Sequence, residues 1–359
     1  MIRLVLIGDG ESPHLLKWTQ ALASPALAGR VTLWVVSSRG FLPGFDAALP
    51  AERRLALHTH PRFAGGNAAL LRTLPRLVRW LRGVQPDWLA PHYLTSHGTL
   101  AWAAVRLGGI RARLAGSAWG SDILVTPARS RVLRWLTQRV LRACAVTTSD
   151  SRHMADRMRA LGAAEVMVFP FGLEALPPQP VDKDEALFFA NRGLEPIYRP
   201  TEVLEVFAAL CANWPEARLV VANDGSLRPA LQARAAQPDL AGRVQFVGRL
   251  APDVQAGWYA RARWYLSLPA SDSVSVSVLE AMAHGAIPLL SDLPANRELV
   301  RDGDNGLILA DGERPARARL DPLAARAAAI GRAQREWVAA HALFPEAVAA
   351  YVARLEAQR

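Results

Sequence analysis

The sequence predicts an α/β protein built as two similar-sized halves, each a mainly parallel sheet with helices on both faces. Three observations carry this. The chain has 359 residues, room for two domains at roughly 150 residues each. Short apolar runs alternate with stretches of helical periodicity along its whole length. The alternation halts at the proline-dense stretch Leu176-Pro177-Pro178-Gln179-Pro180, just after Phe169-Pro170-Phe171-Gly172, and then starts again.

Taken in order, Arg3–Ile7 is a short apolar strand that runs into Gly8-Asp9-Gly10. Its apolar core is too short for a signal peptide, and Asp9 interrupts it, so it reads as a buried first strand. A helix follows, with Leu15, Leu16, Trp18, Ala21 and Leu22 at helical spacing. Val31–Val36, Trp88–Pro91, Ala112–Ala118 and Ala145–Thr148 are further strands with apolar helices between them. After the proline stretch come strands Ala186–Ala190, Arg218–Ala222, Val244–Val247, Trp264–Leu268, Ile287–Ser291 and Gly306–Leu309. Helices are expected at Thr201–Cys211 and Ser275–His284, and an Ala-rich helical tail from about Pro322 to Arg359. Runs this short and apolar, alternating with helices, belong to a parallel sheet buried on both faces.

Composition narrows the classes of function. Half of the residues (51%) are hydrophobic, which excludes a disordered chain. No uninterrupted apolar run reaches the roughly 18 residues a spanning helix needs. Cys144 and Cys211 cannot form a disulfide scaffold, and no Cys pair has zinc spacing, so a reducing cytoplasm is the simplest compartment. The net charge is +10, and of 42 basic residues only Lys17 and Lys183 are lysines, leaving 40 arginines. Such a balance points to an anionic partner: nucleic acid, a phosphate-bearing substrate or an anionic membrane. No nucleic-acid-binding module is present, so nucleic acid is the least favoured of the three.

The most informative stretch is Pro269-Ala270-Ser271-Asp272-Ser273-Val274-Ser275-Val276, which follows a strand and opens the helix containing Glu280. A Ser- and Asp-rich turn at a helix start leaves backbone N–H groups free, and with the helix dipole these form an anion site. Glu280, eight positions after Asp272, suits a ribose diol. The same residues also read as an N-cap followed by a solvent-facing Glu.

In its context this stretch resembles the C-terminal half of the retaining glycosyltransferases of family 4. The shared pattern is an acidic residue, seven residues, Glu280, then Ala281-Met282-Ala283-His284-Gly285, a proline and a strand, then Asn305-Gly306. Further along the chain, Gly8-Asp9-Gly10 with the His14–Trp18 helix resembles the family's first loop and helix. Trp119-Gly120-Ser121-Asp122 resembles its His-Gly-x-Asp site, Val168–Gly172 its hinge, and Phe246-Val247-Gly248 its nucleotide loop. The resemblance implies the GT-B fold: two Rossmann-like domains, with parallel sheets facing across a cleft. An N-terminal acceptor-binding domain would occupy residues 1–170, with a C-terminal helix from about 340 to 359 packing back on it. A donor-binding domain would occupy 171–339.

The resemblance also implies roles. Arg192 and Arg199 would neutralise the donor's diphosphate, for which the fork of an always-charged guanidinium is well suited. Asp272 would contact the donor sugar and Glu280 the ribose. Gly248, Arg249 and Leu250 would meet the base, and the amides of Ser273, Val274, Ser275 and Val276 the phosphates. Gly8 and Gly10 would let the first loop approach them, since glycine permits close backbone contact. His14, His92, His97, Trp119 and Asp122 would line the acceptor and sugar side, Asp122 either binding an acceptor hydroxyl or capping a helix. The implied activity is transfer of a sugar from a nucleotide-diphosphate sugar to a glycan or lipid-linked acceptor in lipopolysaccharide or exopolysaccharide assembly. No metal and no cofactor is expected.

Three positions depart from the family pattern. Asp272 stands for the usual Glu, Tyr198 and Arg199 stand near the usual lysine, and Trp119 replaces a His. Trp stacks on a sugar face but exchanges no proton, which leaves His92 or His97 as substitutes. Two other readings stay open: a sugar-nucleotide epimerase or phosphorylase, and a non-catalytic nucleotide-sugar-binding scaffold. Neither Lys17 nor Lys183 has a setting suited to a phosphorylase cofactor. Finally, Arg72, Arg76, Arg79 and Arg82, and then Arg129, Arg131, Arg134, Arg139 and Arg142, alternate with Leu and Trp. Basic amphipathic helices of this kind suit an anionic bilayer, and imply a peripheral location on the inner membrane face.

Overall fold

A computed structural model describes residues 1–59, 68–178 and 182–358. Gln179 and Pro180 of the proline stretch, and Arg359 of the tail, lie outside the described residues. The chain divides into two compact units, Met1–Phe169 with Phe344–Arg359, and Pro170–Leu343.

The first unit contains a seven-stranded parallel sheet: β1 (Ile2–Gly8), β2 (Val31–Ser37), β3 (Arg54–Ala56), β4 (Trp88–Pro91), β5 (Arg113–Ser117), β6 (Cys144–Ser149) and β7 (Val166–Val168). The order across the sheet is β3-β2-β1-β4-β5-β6-β7. β1 pairs with β2 on one side and β4 on the other, so the topology reverses there. Helices cover both faces, and β4 is buried at every position. The helix Pro13–Leu22 starts where Ser12 caps it and Pro13 takes the first turn, its missing N–H costing nothing there. It buries Leu15, Trp18 and Leu22. Trp18 meets Phe344 (5.1 Å) and Tyr351 (5.3 Å) of the helix Phe344–Ala357, edge to face. Arg30–Glu356 and Arg354–Glu165 ion pairs hold the outer side of that helix.

The second unit contains a six-stranded parallel sheet: β8 (Asp184–Ala190), β9 (Arg218–Ala222), β10 (Val244–Gly248), β11 (Ala262–Ser267), β12 (Ile287–Ser291) and β13 (Leu307–Leu309). Its order is β10-β9-β8-β11-β12-β13, so the reversal falls between β8 and β11. Phe188, Phe207, Trp214 and Trp264 pack together on one face. Phe189, Tyr259, Tyr265 and Met282 fill the other. The Ala-rich tail consists of three helices: Asp321–Ala325, Ala327–His341 and Phe344–Ala357. The last break is fixed by backbone pairing, the Leu173 N–H donating to the Ala342 carbonyl at 2.8 Å. Two three-residue edge strands, β3 and β7, had not been expected from the sequence, being too short to show a period.

Candidate functional site

In open parallel sheets, ligands bind beyond the carboxyl ends of the strands where the strand order reverses. In the second unit that point lies between β8 and β11, and Arg192 and Asp272 stand on the loops leaving those two strands. Arg192 Nη2 lies 2.7 Å from Asp272 Oδ2. Its Nη1 donates to Ser275 Oγ and, at 3.3 Å, to Ser277 Oγ, and the two hydroxyls are 2.8 Å apart. The Tyr198 ring lies under the guanidinium at 4.5 Å. Burial works against the Arg192 charge, but Asp272 and the surrounding tyrosines outweigh it and raise its pKa. Burial also raises the Asp272 carboxyl, against the pull of Arg192 and the Ser273 N–H.

The helix opening this site is Val276–Ala283, and Ser275 at its N-cap makes no side-chain capping bond. The Ser275 hydroxyl is engaged with Arg192 and Ser277 instead. The helix N-terminus and the guanidinium therefore converge on one spot, which is the requirement for holding a phosphate. The loop before it is anchored: Ala270 N–H donates to the Ile197 carbonyl at 2.9 Å, and Ser273 N–H to Asp272 Oδ1 at 3.0 Å. Val274 is buried and holds the loop down on the core.

Glu280 sits one turn into the same helix. Its Oε2 accepts from Tyr259 Oη at 2.9 Å and from Gln255 Nε2 at 3.4 Å. Both donors come from the helix Pro252–Arg261. That helix begins directly after Gly248, Arg249 and Leu250. Gly248 has φ +72°, which a side chain rarely adopts, and its carbonyl accepts from Asn223 N–H at 2.6 Å. Leu250 packs partly buried against the core and Arg249 is exposed.

Arg199 is placed elsewhere. It has φ +49° between the turn Pro196–Tyr198 and the helix Pro200–Cys211, and its side chain forms an ion pair with Asp311. The structure thus groups Arg192, Asp272, Ser273, Ser275 and Glu280, and sends Arg199 toward the loop after β13.

In the first unit the reversal point lies between β1 and β4. Gly10 has no room for a side chain: a Cβ there would lie 2.4 Å from the Gly40 carbonyl oxygen and 2.7 Å from Ser37 Oγ. Gly10 N–H donates to Ser37 Oγ, which donates to the Gly40 carbonyl. A Cβ at Gly8 would touch Leu15. Packing within the unit is therefore enough to require glycine at position 10. Arg39 pairs with Asp9 and Glu11, each at 3.4 Å, and offsets the acidity of this loop.

The histidines and Trp119 form an aromatic group. Trp119 is half-buried, with the His14 ring at 5.1 Å and His92 at 5.4 Å, both edge-on. His92 is 2% exposed, wedged also against Trp18, and neither ring nitrogen has a hydrogen-bond partner. Burial, with the neighbouring His97 and His14, pushes its pKa down to about 3. His97 Nδ1 donates to the His92 carbonyl at 2.7 Å, and its Nε2 accepts from Ser38 Oγ at 3.0 Å. Burial lowers its pKa to about 4, partly opposed by that carbonyl and by Asp9. As placed, neither ring opens to solvent for proton exchange near neutral pH. Burial and Lys17 also lower the pKa of His14. Asp122 is 0% exposed and ties two loops together, accepting from Leu94 N–H at 2.7 Å and Trp119 N–H at 3.0 Å. It holds the loop carrying Trp119.

The comparisons with known proteins follow the two units. A family model for glycosyl transferases group 1 matches residues 185–321, and one for glycosyl transferase 4-like domains matches residues 3–151. Each unit thus matches a glycosyltransferase domain model, and the fold is GT-B. The same fold is found in Anabaena HepE in complex with UDP, at 15% identity and TM-score 0.76 over 100% of both chains. It is found too in sucrose-phosphate synthase of Thermosynechococcus elongatus, at 18% identity and TM-score 0.74 over 100% of this chain and 99% of that one. The lipopolysaccharide core biosynthesis mannosyltransferase LpcC of Rhizobium leguminosarum bv. viciae is 30% identical over 117 residues, 32% of this chain and 33% of that protein. The GDP-mannose:cellobiosyl-diphosphopolyprenol alpha-mannosyltransferase of Xanthomonas campestris is 28% identical over 125 residues, 33% of this chain and 30% of that protein. The matches span 30% and 33% of the length of these curated relatives.

Several residues of this site escaped the sequence reading. Asn191, Ser277, Gln255 and Tyr259 join Tyr198 around Arg192 and Glu280. Tyr259 and Tyr265 are indistinguishable from core aromatics in a hydropathy pattern. Ser277 was visible, at the second position past Ser275, on the helix face that turns toward Arg192.

Proposed function

We propose that the chain transfers a sugar, with retained anomeric configuration, from a nucleotide-diphosphate sugar to a glycan or lipid-linked acceptor of cell-surface polysaccharide assembly. The observation that carries this is the convergence of Arg192, Asp272, Ser275 and an N-terminus without a side-chain cap at the reversal point of the second sheet. Glu280 lies one turn away. A leaving nucleoside diphosphate gains negative charge as the glycosidic bond breaks. Arg192 and the amides of Ser275 and Val276 meet that charge with donors already in place, which lowers the barrier without reorganisation. Asp272, beside Arg192, takes the sugar's hydroxyls, and Glu280 the ribose diol. Gly248–Leu250 face the base. Trp119 and His14 supply a sugar-stacking surface on the acceptor unit. This reading requires neither metal nor cofactor, since the arginine and the helix amides supply the charge.

The test is a panel of UDP-, GDP- and dTDP-sugars incubated with the protein and membrane extract as acceptor source, following nucleoside diphosphate release. One donor class is expected to be consumed, at a rate a chelator leaves unchanged. No release and no binding for any donor contradicts the transferase reading, and loss of release with chelator contradicts the metal-independent part.

We also place the acceptor at an anionic membrane face. Among the described residues no helix is long and apolar enough to cross a membrane. The helix Arg131–Ala143 carries no acidic residue, and exposes Arg131, Arg134, Arg139 and Arg142 with Val132 (66% exposed) and Trp135 (48%). Arg72, Arg76, Arg79 and Arg82 are exposed on or beside the helix Leu74–Val84, whose Leu77, Val78 and Leu81 are buried. Cationic side chains around exposed Trp and Val suit an anionic lipid surface, and imply a cytoplasmic protein peripheral to the inner membrane. The protein is expected to sediment with phosphatidylglycerol vesicles at low salt and be released by high salt. Equal behaviour with phosphatidylcholine vesicles contradicts this.

A further inference from the structure

We propose that Tyr259 is a positioning residue: its hydroxyl holds the Glu280 carboxylate in the orientation that takes the donor's ribose. The inference rests on the ribose role proposed for Glu280. Tyr259 is 2% exposed, and its ring is fixed on two sides, edge-on to Phe189 at 5.0 Å and stacked on His284 at 5.8 Å. A ring so confined presents its hydroxyl at one place, and there it donates to Glu280 Oε2 at 2.9 Å. Gln255, one turn earlier on the same helix, donates to the same oxygen. A Glu held by two donors has little rotamer freedom left to lose when a ligand binds, and this preorganisation appears as affinity.

Other side chains around the site are fixed by hydrogen bonds as well. Tyr265 donates to Asn191 Oδ1 at 2.7 Å. Ser277 accepts from Arg192. The Asn191 carbonyl accepts from Asn223 Nδ2 at 3.1 Å, which pins it to the loop after β9. Burial raises the pKa of Tyr259, and pushes Tyr265 up to about 12, so both hydroxyls keep their protons as donors through the working pH range. The carboxylate for the ribose and the guanidinium for the diphosphate are each held by bonds of their own before a ligand arrives. The helix Pro252–Arg261 that carries Tyr259 begins at the loop assigned to the base.

The test separates positioning from simple core packing. Binding of UDP and GDP, and of their 2′-deoxy and 3′-deoxy forms, is measured by calorimetry with wild type, Tyr259→Phe, Gln255→Leu and Glu280→Gln. Tyr259→Phe keeps the ring and its packing, and thermal melting checks the fold. For whichever of UDP and GDP binds, Tyr259→Phe is expected to weaken the ribose form about tenfold, the scale of a hydrogen bond to a charged group. The deoxy form lacking the hydroxyl that Glu280 holds is expected to change less than about twofold, because the coupled partner is already gone. Gln255→Leu, with the longer bond, is expected to show the same pattern more weakly. Equal losses for ribose and deoxy forms, or ribose discrimination fully kept in Tyr259→Phe and Gln255→Leu, overturn the positioning role. If wild type and Glu280→Gln both bind ribose and deoxy forms alike, the ribose role of Glu280 fails and the inference falls with it.

Discussion

Arg192→Ala is expected to lower kcat/KM for the nucleotide-sugar donor by about 10²–10³, the cost of deleting one preorganised donor at a developing charge. The guanidinium sits on Tyr198, is paired with Asp272 at 2.7 Å and bonded to Ser275 and Ser277. No other described arginine shares these contacts, so no neighbour replaces it. Truncation also leaves the half-buried Asp272 without its cation, next to where the diphosphate is to sit. Repulsion then adds to the loss of attraction. Arg192→Lys restores the charge but not the fork of donors, and is expected to recover only part of the rate. Steady-state kinetics on the donor identified by the panel measures both. Arg199→Ala is expected to have a much smaller effect, since that side chain is turned to Asp311. A rate loss for Arg199→Ala equal to that for Arg192→Ala contradicts the assignment.

The second large effect is on stability. Asp122→Ala is expected to destabilise the first unit by about 2 kcal/mol or more at neutral pH, because two buried N–H groups lose their acceptor. Leu94 and Trp119 donate to different oxygens of that carboxylate, so one substitution releases both loops. The effect depends on pH in a definite direction. Burial raises the Asp122 pKa to about 6, against the pull of the backbone donors. A carboxyl whose folded pKa lies above its unfolded value holds its proton better in the folded state, so its contribution is full below about pH 4 and falls as pH rises through about 6. The gap between wild type and Asp122→Ala is therefore expected to be widest below pH 4 and to narrow toward pH 7, as read by denaturant unfolding at a series of pH values. A gap that widens with pH contradicts the burial argument.

Much of this molecule was legible in its sequence. Apolar runs such as Ile287–Ser291, buried at every position, announce a parallel sheet because both faces must be covered. Arg192 and Asp272 were legible because each follows a strand that ends in a loop of small polar residues, the place where such sheets bind ligands. Less was legible where the decisive fact is a direction in space. Arg199 precedes a proline in a left-handed conformation, and that backbone turn sends its side chain away from Arg192. The expectation that His92 or His97 substitutes for the family His missed the same kind of fact: one ring is wedged between indoles and the other is locked between a carbonyl and a serine. Gly10 was read as making room for phosphate, and a second reason for a glycine, the Gly40 carbonyl where a Cβ would stand, was not visible in the sequence. Tyr259 was hidden because a buried tyrosine keeps the apolar period whether its hydroxyl serves a carboxylate or not.

The account stands on the second unit's binding a nucleoside diphosphate between Arg192, the Val276–Ala283 helix N-terminus and Glu280. Titration of UDP and GDP into wild type, Arg192→Ala and Glu280→Ala by calorimetry, with melting curves to show that each is folded, tests it most directly. The predicted result is one saturable site in wild type for at least one nucleotide, abolished in Arg192→Ala and weakened in Glu280→Ala. Unchanged binding in both folded variants, or no binding of either nucleotide to wild type, contradicts it.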